Sequence, residues 1–476
     1  MLAEALAYSL LGGASGLLIA QATVGVMRRE LAGLPRIATA TVDARVVAFA
    51  SLTCVAAAVV CSLAPLARIG RPDAIATVLR GGRGVVVRQP ITQALVSAQL
   101  ALATVLVVGA TLFLRGLLAL QGTPIGFEPG NVLTLRVSAS FNEPPDEVVQ
   151  RHQRTMDALS ALPGVRSVAM SHGIPGAIAA TPAEFRLADE PIDPTGAHFA
   201  ERRLVTAAYF HTLGIALLSG ETCRMRTDPE HEYDALVNGA FLDRYAPGRN
   251  VLDRSIIFGP QESRTPTRIV GVVENAREEG YARPVEPIVY LCGFLRWLPD
   301  SDFLIRVNGE PARLARAARE AIAVIEPGRA VYAVQPLPDI LSATLSQHRL
   351  RTVLLGAFSM IALTLAAVGL WGVMAYMVSQ RRREFAVRLA LGAQPFAIAL
   401  QIARSAGVVT IAGGGVGLLT TAAALRMSRA LMAGVQISDP TAYLIGVAAL
   451  LGTVVVASIS PGWRAMSVDP VEILRD

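Results

Sequence analysis

Six apolar stretches constrain this chain more than any other feature of its sequence. Each is close to the roughly 20 residues that an α-helix needs to cross a hydrocarbon core of about 30 Å. They fall at residues 6–27, 46–66, 94–113, 353–378, 402–425 and 443–460. The 53% hydrophobic content and mean hydropathy of +0.47 are too apolar for an ordinary soluble protein and too low for a chain that is all membrane. We therefore expect membrane spans together with a large aqueous domain.

The long segment between the third and fourth stretches has the pattern of an α/β domain. Alternating residues predict strands at 132–137 and 166–170, on either side of a helix at 147–162. A helix is predicted at 312–325, and further strands are predicted at 235–237, 269–273, 288–291 and 303–307. Strands alternating with helices indicate split β-α-β units. The predicted fold class is an α-helical membrane bundle of about six transmembrane helices with a large α/β extracytoplasmic domain.

The arginines orient these spans, because arginine-rich loops stay on the cytoplasmic side. Clusters follow the second, fourth and sixth stretches, at Arg68, Arg71, Arg80, Arg83 and Arg88, at Arg381, Arg382, Arg383 and Arg388, and at Arg464 and Arg475. The loop after the first stretch disagrees, with Arg28, Arg29, Arg36 and Arg45. Placing the three clusters inside leaves the large domain outside. The net charge of +6 is thus explained by topology rather than by nucleic-acid binding.

Residues 381–393 (RRREFAVRLALGA) form a short basic amphipathic segment between two spans. Glu384 and Arg388 have favourable i,i+4 spacing, and Phe385 and Leu389 form an apolar stripe, with Val387 and Leu391 beside it. Gly392 is suited to the left-handed conformation that ends a helix. The segment is either an anchoring loop or a helix that offers an apolar, charge-rimmed ridge to a soluble partner.

The same segment resembles the coupling helix of FtsX/MacB-like ABC transporter permeases, which seats in a groove of the ATPase subunit. The resemblance extends to 93–115 (QALVSAQLALATVLVVGATLFLR), 126–133 (GFEPGNVL), 209–214 (YFHTLG), 269–273 (IVGVV) and the tail at 461–475. It is closest to the acidobacterial duplicated orphan permeases, which carry two such units in tandem. It implies that the ATPase contact is made by Arg381, Arg382, Arg383, Glu384, Phe385, Arg388, Leu389, Leu391 and Gly392.

An internal repeat supports a tandem organisation. GGASGLL at 12–18 matches GGGVGLL at 413–419, and Asp43 and Asp439 stand at equal distances before Pro65 and Pro461. The first 80 residues therefore look like the last two helices of an N-terminally incomplete first unit. The glycines allow close helix packing, or a gliding surface during conformational change. They are Gly12, Gly13, Gly16, Gly413, Gly414, Gly415 and Gly417.

Together, the resemblance and the repeat imply five segments. Residues 1–80 hold the last two transmembrane helices of a first FtsX-like unit, and 81–92 a cytoplasmic linker. Residues 93–120 hold the first transmembrane helix and stalk of the second unit. Residues 121–348 form an extracytoplasmic MacB-like periplasmic core domain, with a central part inserted near 199–296. Residues 349–476 form an FtsX-like permease domain with three transmembrane helices and a cytoplasmic tail.

No sequence motif predicts chemistry within the chain itself. GGRG at 81–84 lacks the Lys-Ser/Thr of a phosphate-binding loop, and the histidines show no metal spacing. We therefore predict no catalytic residue, cofactor or metal, and an ATPase supplied by another chain. Cys223 and Cys292 fall in the external segment, where a disulfide is permitted but not required by their spacing.

The predicted function is a multi-pass permease subunit in the bacterial inner membrane that works by mechanotransmission. ATP hydrolysis by a partner ATPase would move the external domain, for export, efflux or the handling of envelope substrates. The alternative is an ATP-independent membrane scaffold that binds or regulates an envelope enzyme. The expected partners are the ABC ATPase subunit, the lipid bilayer, and a second copy or another permease chain, with no nucleic acid.

Overall fold

A computed structural model describes residues 2–30, 41–69, 90–138, 143–177, 182–189, 198–224, 234–259, 266–293, 301–392, 394–427 and 440–466. The predicted linker at 81–92 lies largely outside these residues, as does the tail after residue 466. The chain divides into two compact units, one formed by Met1–Leu117 with Ser346–Asp476 and the other by Leu118–Leu345.

The first unit is a bundle of long apolar helices. They are α1 (Leu2–Glu30), α2 (Ala44–Ile69), α3 (Pro90–Gln121), α9 (Ser346–Gln380), α11 (Pro395–Met427) and α12 (Pro440–Met466). Within the described residues, all except α2 are long and apolar enough to cross a membrane, and α2 contains a shorter apolar stretch at Ala44–Val59. The six predicted spans all lie within these helices. Apolar side chains cover most of their outer surface, as in a bundle solvated by lipid.

The core of the bundle is formed where four of these helices meet. Small and branched apolar residues of α3, α9, α11 and α12 share one buried cluster, which includes Leu100, Ala366, Ala406 and Leu450. A short helix, α10 (Arg382–Ala390), follows α9 directly and precedes α11. This helix is the segment that the sequence singles out.

The second unit is an α/β domain. Its strands are β1 (Val132–Val137), β2 (Val165–Ser171), β3 (Pro182–Leu187), β4 (His198–Val205), β5 (Leu217–Gly220), β6 (Asp234–Asn238), β7 (Ser255–Phe258), β8 (Thr267–Val273), β9 (Ile288–Cys292), β10 (Ser301–Val307) and β11 (Val331–Pro336). Its helices are α4 (Pro145–Ser160), α5 (Ala208–Leu213), α6 (Gly239–Tyr245), α7 (Ala315–Ile325) and α8 (Leu337–Thr344), and a short 3₁₀ helix (Pro311–Leu314) precedes α7.

The strands form two connected parts. β11, β1, β10 and β2 pair in that order as an antiparallel sheet, and β4, β3, β7, β8, β6 and β9 pair in a ring that β4 and β9 close. A single residue pair between β2 and β4 joins the two parts. Five of the six ring strands lie in the central part predicted near 199–296, and the sixth, β3, precedes that range.

The six predicted strands are present within a few residues of their expected bounds, as is the helix predicted at 147–162. The helix predicted at 312–325 begins with the 3₁₀ turn. β3, β4, β5, β7 and β11 were not predicted. β5 and β7 have only four residues each, which is too short for an alternating pattern to stand out.

Cys223 and Cys292 form a disulfide in the second unit, with their Cα atoms 6.0 Å apart. The two residues are 69 positions apart in the sequence, and the bond joins the segment after β5 to the end of β9. The sequence alone left this pairing open, because only the fold brings the two thiols together.

Candidate functional site: the helix between two spans

α10 is a nine-residue helix that starts immediately after the long span α9. The backbone N–H of Arg381 is shared between the carbonyl oxygens of Met377 and Val378, so that the chain runs almost without interruption from α9 into α10. Gly392 then adopts φ +88°, the left-handed conformation expected of a residue that ends a helix. The helix is therefore held between two spans with defined backbone geometry at both ends.

Phe385 lies inside the bundle, which corrects the expectation that it contacts an ATPase. Its side chain is only 1% exposed and belongs to the same buried cluster as Met374, Val378 and Ile398. Ala386, its neighbour, is fully buried as well. Phe385 thus fixes α10 to α9 and α11 and is not available to a partner.

The outward surface of α10 is instead formed by Val387 and Leu391. Their exposed fractions are 44% and 83%. Val387 lies about 200° around the helix from Phe385, at roughly 100° per residue, and is therefore on the opposite side. The segment has two apolar faces, and packing against the bundle uses the one that holds Phe385. The side chains of Arg383 and Leu389 lie outside the described part of this helix.

Polar residues flank this outward surface. Nη2 of Arg388 donates to Oε1 of Glu384 at 2.5 Å, as their i,i+4 spacing predicts. Nη1 of the same arginine donates to Oε1 of Gln401 in α11 at 3.0 Å. Arg388 therefore ties α10 to the next span while remaining exposed, and Arg382 is exposed at the start of the helix. An exposed apolar pair with charged neighbours is suited to contact with a soluble protein.

The glycines singled out in the spans have different surroundings. An added Cβ at Gly413 would lie 2.5 Å from the carbonyl oxygen of Ser97 in α3, and one at Gly417 would lie 2.6 Å from that of Ala101. In both cases the backbones approach too closely for a larger residue. A Cβ added at Gly414 would lie 3.1 Å from the side chain of Leu450, and one added at Gly13 would lie 2.6 Å from the sulfur of Cys54.

Gly12, Gly16 and Gly415 differ from these. Among the described residues, no atom would lie within 4 Å of a Cβ added at any of the three. Close helix packing therefore accounts for Gly13, Gly413, Gly414 and Gly417.

The α/β unit contains a buried polar cluster that the sequence did not indicate. Tyr209 and Tyr290 both donate their hydroxyl hydrogens to the carboxylate of Glu278, at 2.8–3.0 Å. The guanidinium of Arg203 lies 3.6 Å from the same carboxylate and donates to the carbonyl oxygen of Gly173 at 3.0 Å. Desolvation, followed by the charge of Glu278, raises the pKa of both tyrosines, so they remain neutral donors.

This cluster lies beside the chain segments that lead to α3 and α9. Tyr209 and Tyr290 share a buried cluster with Ile125, which follows α3, and with Leu341 of α8, which precedes α9. The segment 274–281 contacts both stretches of chain. The N–H of Arg277 donates to the carbonyl oxygen of Ile125 at 2.8 Å, and Gly280 packs against Thr344.

Gly126 shows how closely these segments approach each other. It adopts φ +77°, and a Cβ there would overlap the carbonyl group of Asn275. The GFEPGNVL stretch is thus a turn that only glycine allows at this position. An open groove of about 450 Å³ lies beside it, lined by residues that include Phe127, Glu128 and Tyr281.

Glu201, on β4, is a second buried carboxylate near this cluster. Desolvation, reinforced by the negative charge of Glu279, raises the pKa of its side chain from 4.5 to about 7. It is 5% exposed. Within the described residues, no group of histidine, cysteine or acidic side chains is arranged to hold a metal ion.

Comparison with known proteins places these features in a family context. Residues 356–470 match the family model described as FtsX-like permease C-terminal, a stretch that holds most of α9, all of α10 and α11, and α12. The chain is 27% identical over 219 residues to the macrolide export ATP-binding/permease protein MacB of Nitrobacter winogradskyi, covering 44% of this chain and 34% of that protein.

A second relative is described as an ABC transporter permease. The uncharacterized ABC transporter permease YvrN of Bacillus subtilis is 23% identical over 288 residues, covering 56% of this chain and 68% of that one. Among solved structures, the periplasmic region of MacB from Actinobacillus actinomycetemcomitans matches with 12% identity and a TM-score of 0.32. That match covers 47% of this chain and 95% of that one. The chain spans about a third of the length of the Nitrobacter relative.

Proposed function

We infer that this chain, an FtsX/MacB-like permease, is the membrane subunit of an ABC transporter that works by mechanotransmission. The observation that carries the proposal is the outward surface of α10. This surface holds two exposed apolar residues, Val387 and Leu391, on a helix whose other side is locked into the bundle by Phe385. A force applied to such a helix moves the spans attached to it, since a packed core transmits displacement.

The covalent path from α10 toward the α/β unit is short. A single residue separates α9 from α10, and at the other end of α9 a single residue separates it from α8. Leu341 of α8 belongs to the buried cluster that also contains Tyr209 and Tyr290. A displacement of α9 along its axis would therefore act on the core of the α/β unit, through elements that follow one another directly in the chain.

Two independent features support an extracytoplasmic position for the α/β unit. The arginine clusters favour a cytoplasmic location for α10, which puts the opposite end of α9 outside. The Cys223–Cys292 disulfide is of a kind that persists in oxidising compartments and is rare in the cytosol. Substrate would be handled by this unit, in export or in processing at the envelope. We propose that the partner of α10 is an ABC ATPase subunit.

The test is co-purification of an ABC ATPase with the full-length chain. We expect Val387→Asp combined with Leu391→Asp to reduce ATPase binding by well over tenfold, since losing apolar anchors at an interface commonly costs about 2 kcal/mol or more. The matched control is Val324→Asp, which adds a charge at an apolar residue of α7 that is 83% exposed. It should bind the ATPase like the unaltered chain.

The alternative scaffold function makes the opposite prediction. A chain that acts without ATP would keep its envelope partner, and its activity would be unaffected by the change at Val387 and Leu391. Full ATPase binding by the double variant would remove α10 as the contact and contradict the proposal.

A further inference from the structure

The two copies of the glycine repeat lie in helix pairs with matching internal contacts. α1 and α2 correspond to α11 and α12, because GGASGLL aligns with GGGVGLL and Asp43 aligns with Asp439. Gly13 and Gly414 are equivalent in this alignment. Each packs on its neighbouring helix at the residue 11 positions after the aligned aspartate, which is Cys54 in α2 and Leu450 in α12. The first pair therefore repeats the second in its packing as well as in its sequence.

In the second pair, the glycines on either side of this contact hold a third helix. Gly413 lies against the backbone of α3 at Ser97, and Gly417 lies against it at Ala101, with the side chain of Thr104 at a similar distance. Gly446 of α12 also lies against α3, because a Cβ added there would lie 2.5 Å from Val108. Gly413, Gly417 and Gly446 together form a surface that we call the seat. The seat therefore accepts one face of α3, with small or hydroxyl-bearing residues where the backbones meet most closely.

In the first pair, the equivalent seat is open. Gly12 and Gly16 correspond to Gly413 and Gly417, yet both are exposed, and no described atom lies within 4 Å of a Cβ added to either. Ala50 stands where Gly446 stands in the second pair, so this position is also small. The second helix pair indicates what binds at the open seat, because there the same residue types hold the helix α3.

We propose that the Gly12/Gly16 face of α1, together with α2, seats a transmembrane helix with the surface of α3, contributed by another permease unit. Without side chains at Gly12 and Gly16, the incoming backbone can approach closely, and close approach is what drives helix association in lipid. The incoming helix needs small or hydroxyl residues at the positions of Ser97, Ala101 and Thr104. This inference concerns assembly and is independent of what α10 contacts.

The probe is a synthetic peptide with the 32-residue sequence of α3, Pro90–Gln121. The full-length chain, with a fluorescent donor fused after Asp476, is reconstituted in lipid vesicles, and the acceptor-labelled peptide is titrated as a mole fraction of lipid. A peptide of scrambled sequence corrects for random proximity. We expect saturable energy transfer with the α3 peptide, and little with a peptide that carries Ala101→Leu.

The decisive comparison is between two glycines of the same helix. Gly16→Leu should weaken peptide binding by about tenfold, because it fills the seat with a large side chain. Gly25→Leu should leave binding unchanged, since Gly25 lies nine residues further along α1 and faces the opposite side. Both glycines are exposed with open space around them, so neither change disturbs the described packing of α1.

Three results would overturn the proposal. Equal binding by the Gly16→Leu and Gly25→Leu chains would show that the peptide does not use this face. The absence of saturable binding above the scrambled peptide would mean that lipid alone covers it. Two Gly16→Cys chains could also form a disulfide with each other. If the α3 peptide does not suppress this cross-link, the occupant of the seat is a second copy of α1.

Discussion

At the scale of single residues, the polar interior of the α/β unit depends on one carboxylate. Glu278 accepts hydrogen bonds from two buried tyrosines and faces Arg203, whose side chain is 1% exposed. Without Glu278, that guanidinium would stay buried and lose its ion-pair partner, a situation that typically costs about 3–5 kcal/mol. The cluster therefore fixes the relative positions of β4, α5, β9 and the segment 274–281.

Glu201 makes the stability of this unit depend on pH. Its pKa is raised from 4.5 to about 7 by burial and by Glu279. Below pH 4.5 the carboxyl is protonated in both the folded and the unfolded chain. Between pH 4.5 and 7 the unfolded chain releases this proton while the folded chain retains it, so the contribution of Glu201 to stability falls as the pH rises.

We predict that Glu201→Gln removes this pH dependence. At pH 8 the variant should unfold about 4–8 °C above the unaltered chain, corresponding to about 2 kcal/mol, and at pH 4.5 the difference should vanish. Thermal unfolding of the full-length protein in detergent, followed by fluorescence at both pH values, measures the shift. Glu184→Gln is the control, because Glu184 is exposed on the adjacent strand β3. An equal shift in both variants would contradict the assignment to Glu201.

Sequence reasoning did not find this cluster for a physical reason. In the sequence, two adjacent acidic residues at Glu278 and Glu279 are typical of a solvent-exposed turn, because acidic residues are rarely buried. Arg203 and Glu278 are 75 positions apart in the sequence, and only the pairing of β4 with β9 brings their neighbourhoods together. The disulfide between Cys223 and Cys292 was left open for the same reason.

At the scale of elements, α10 shows what a periodic pattern can and cannot predict. The helix, its Glu384–Arg388 pair and its end at Gly392 follow from local spacing, and all three are present. Which apolar face meets the bundle does not follow, because Phe385 and Val387 lie on opposite sides and both are apolar. The tertiary packing decides this, and it buries Phe385.

The two faces of α10 should respond differently to truncation. Phe385→Ala removes a buried ring from the bundle and should destabilise it by on the order of 3 kcal/mol, as for aromatic residues in other cores. Val387→Ala should leave the stability of the bundle unchanged, because that side chain is 44% exposed. Thermal stability of the purified protein in detergent distinguishes the two. Equal losses would place Val387 in the core and contradict the assignment of the outward face.

At the scale of the whole molecule, one chain builds a membrane bundle and an α/β unit that are linked twice, through α3 and through α9. The sequence predicted both parts, because apolar length and strand periodicity are local properties. It did not predict the ring of six strands, which depends on long-range pairing such as that between β4 and β9. Both links reach the core of the α/β unit, through Ile125 and through Leu341, which lie in one buried cluster.

We propose that the nucleotide state of the ATPase reaches the α/β unit through these two links. The most direct measurement is hydrogen exchange of the complex between the full-length chain and its ATPase, followed by mass spectrometry with bound ATP analogue and with ADP. We predict a nucleotide-dependent change in protection in 125–128 and 274–281, where the chain leading to α3 and α9 meets the domain core. The change should disappear in the Val387→Asp/Leu391→Asp chain. Identical exchange in both nucleotide states, with the ATPase bound, would contradict mechanotransmission.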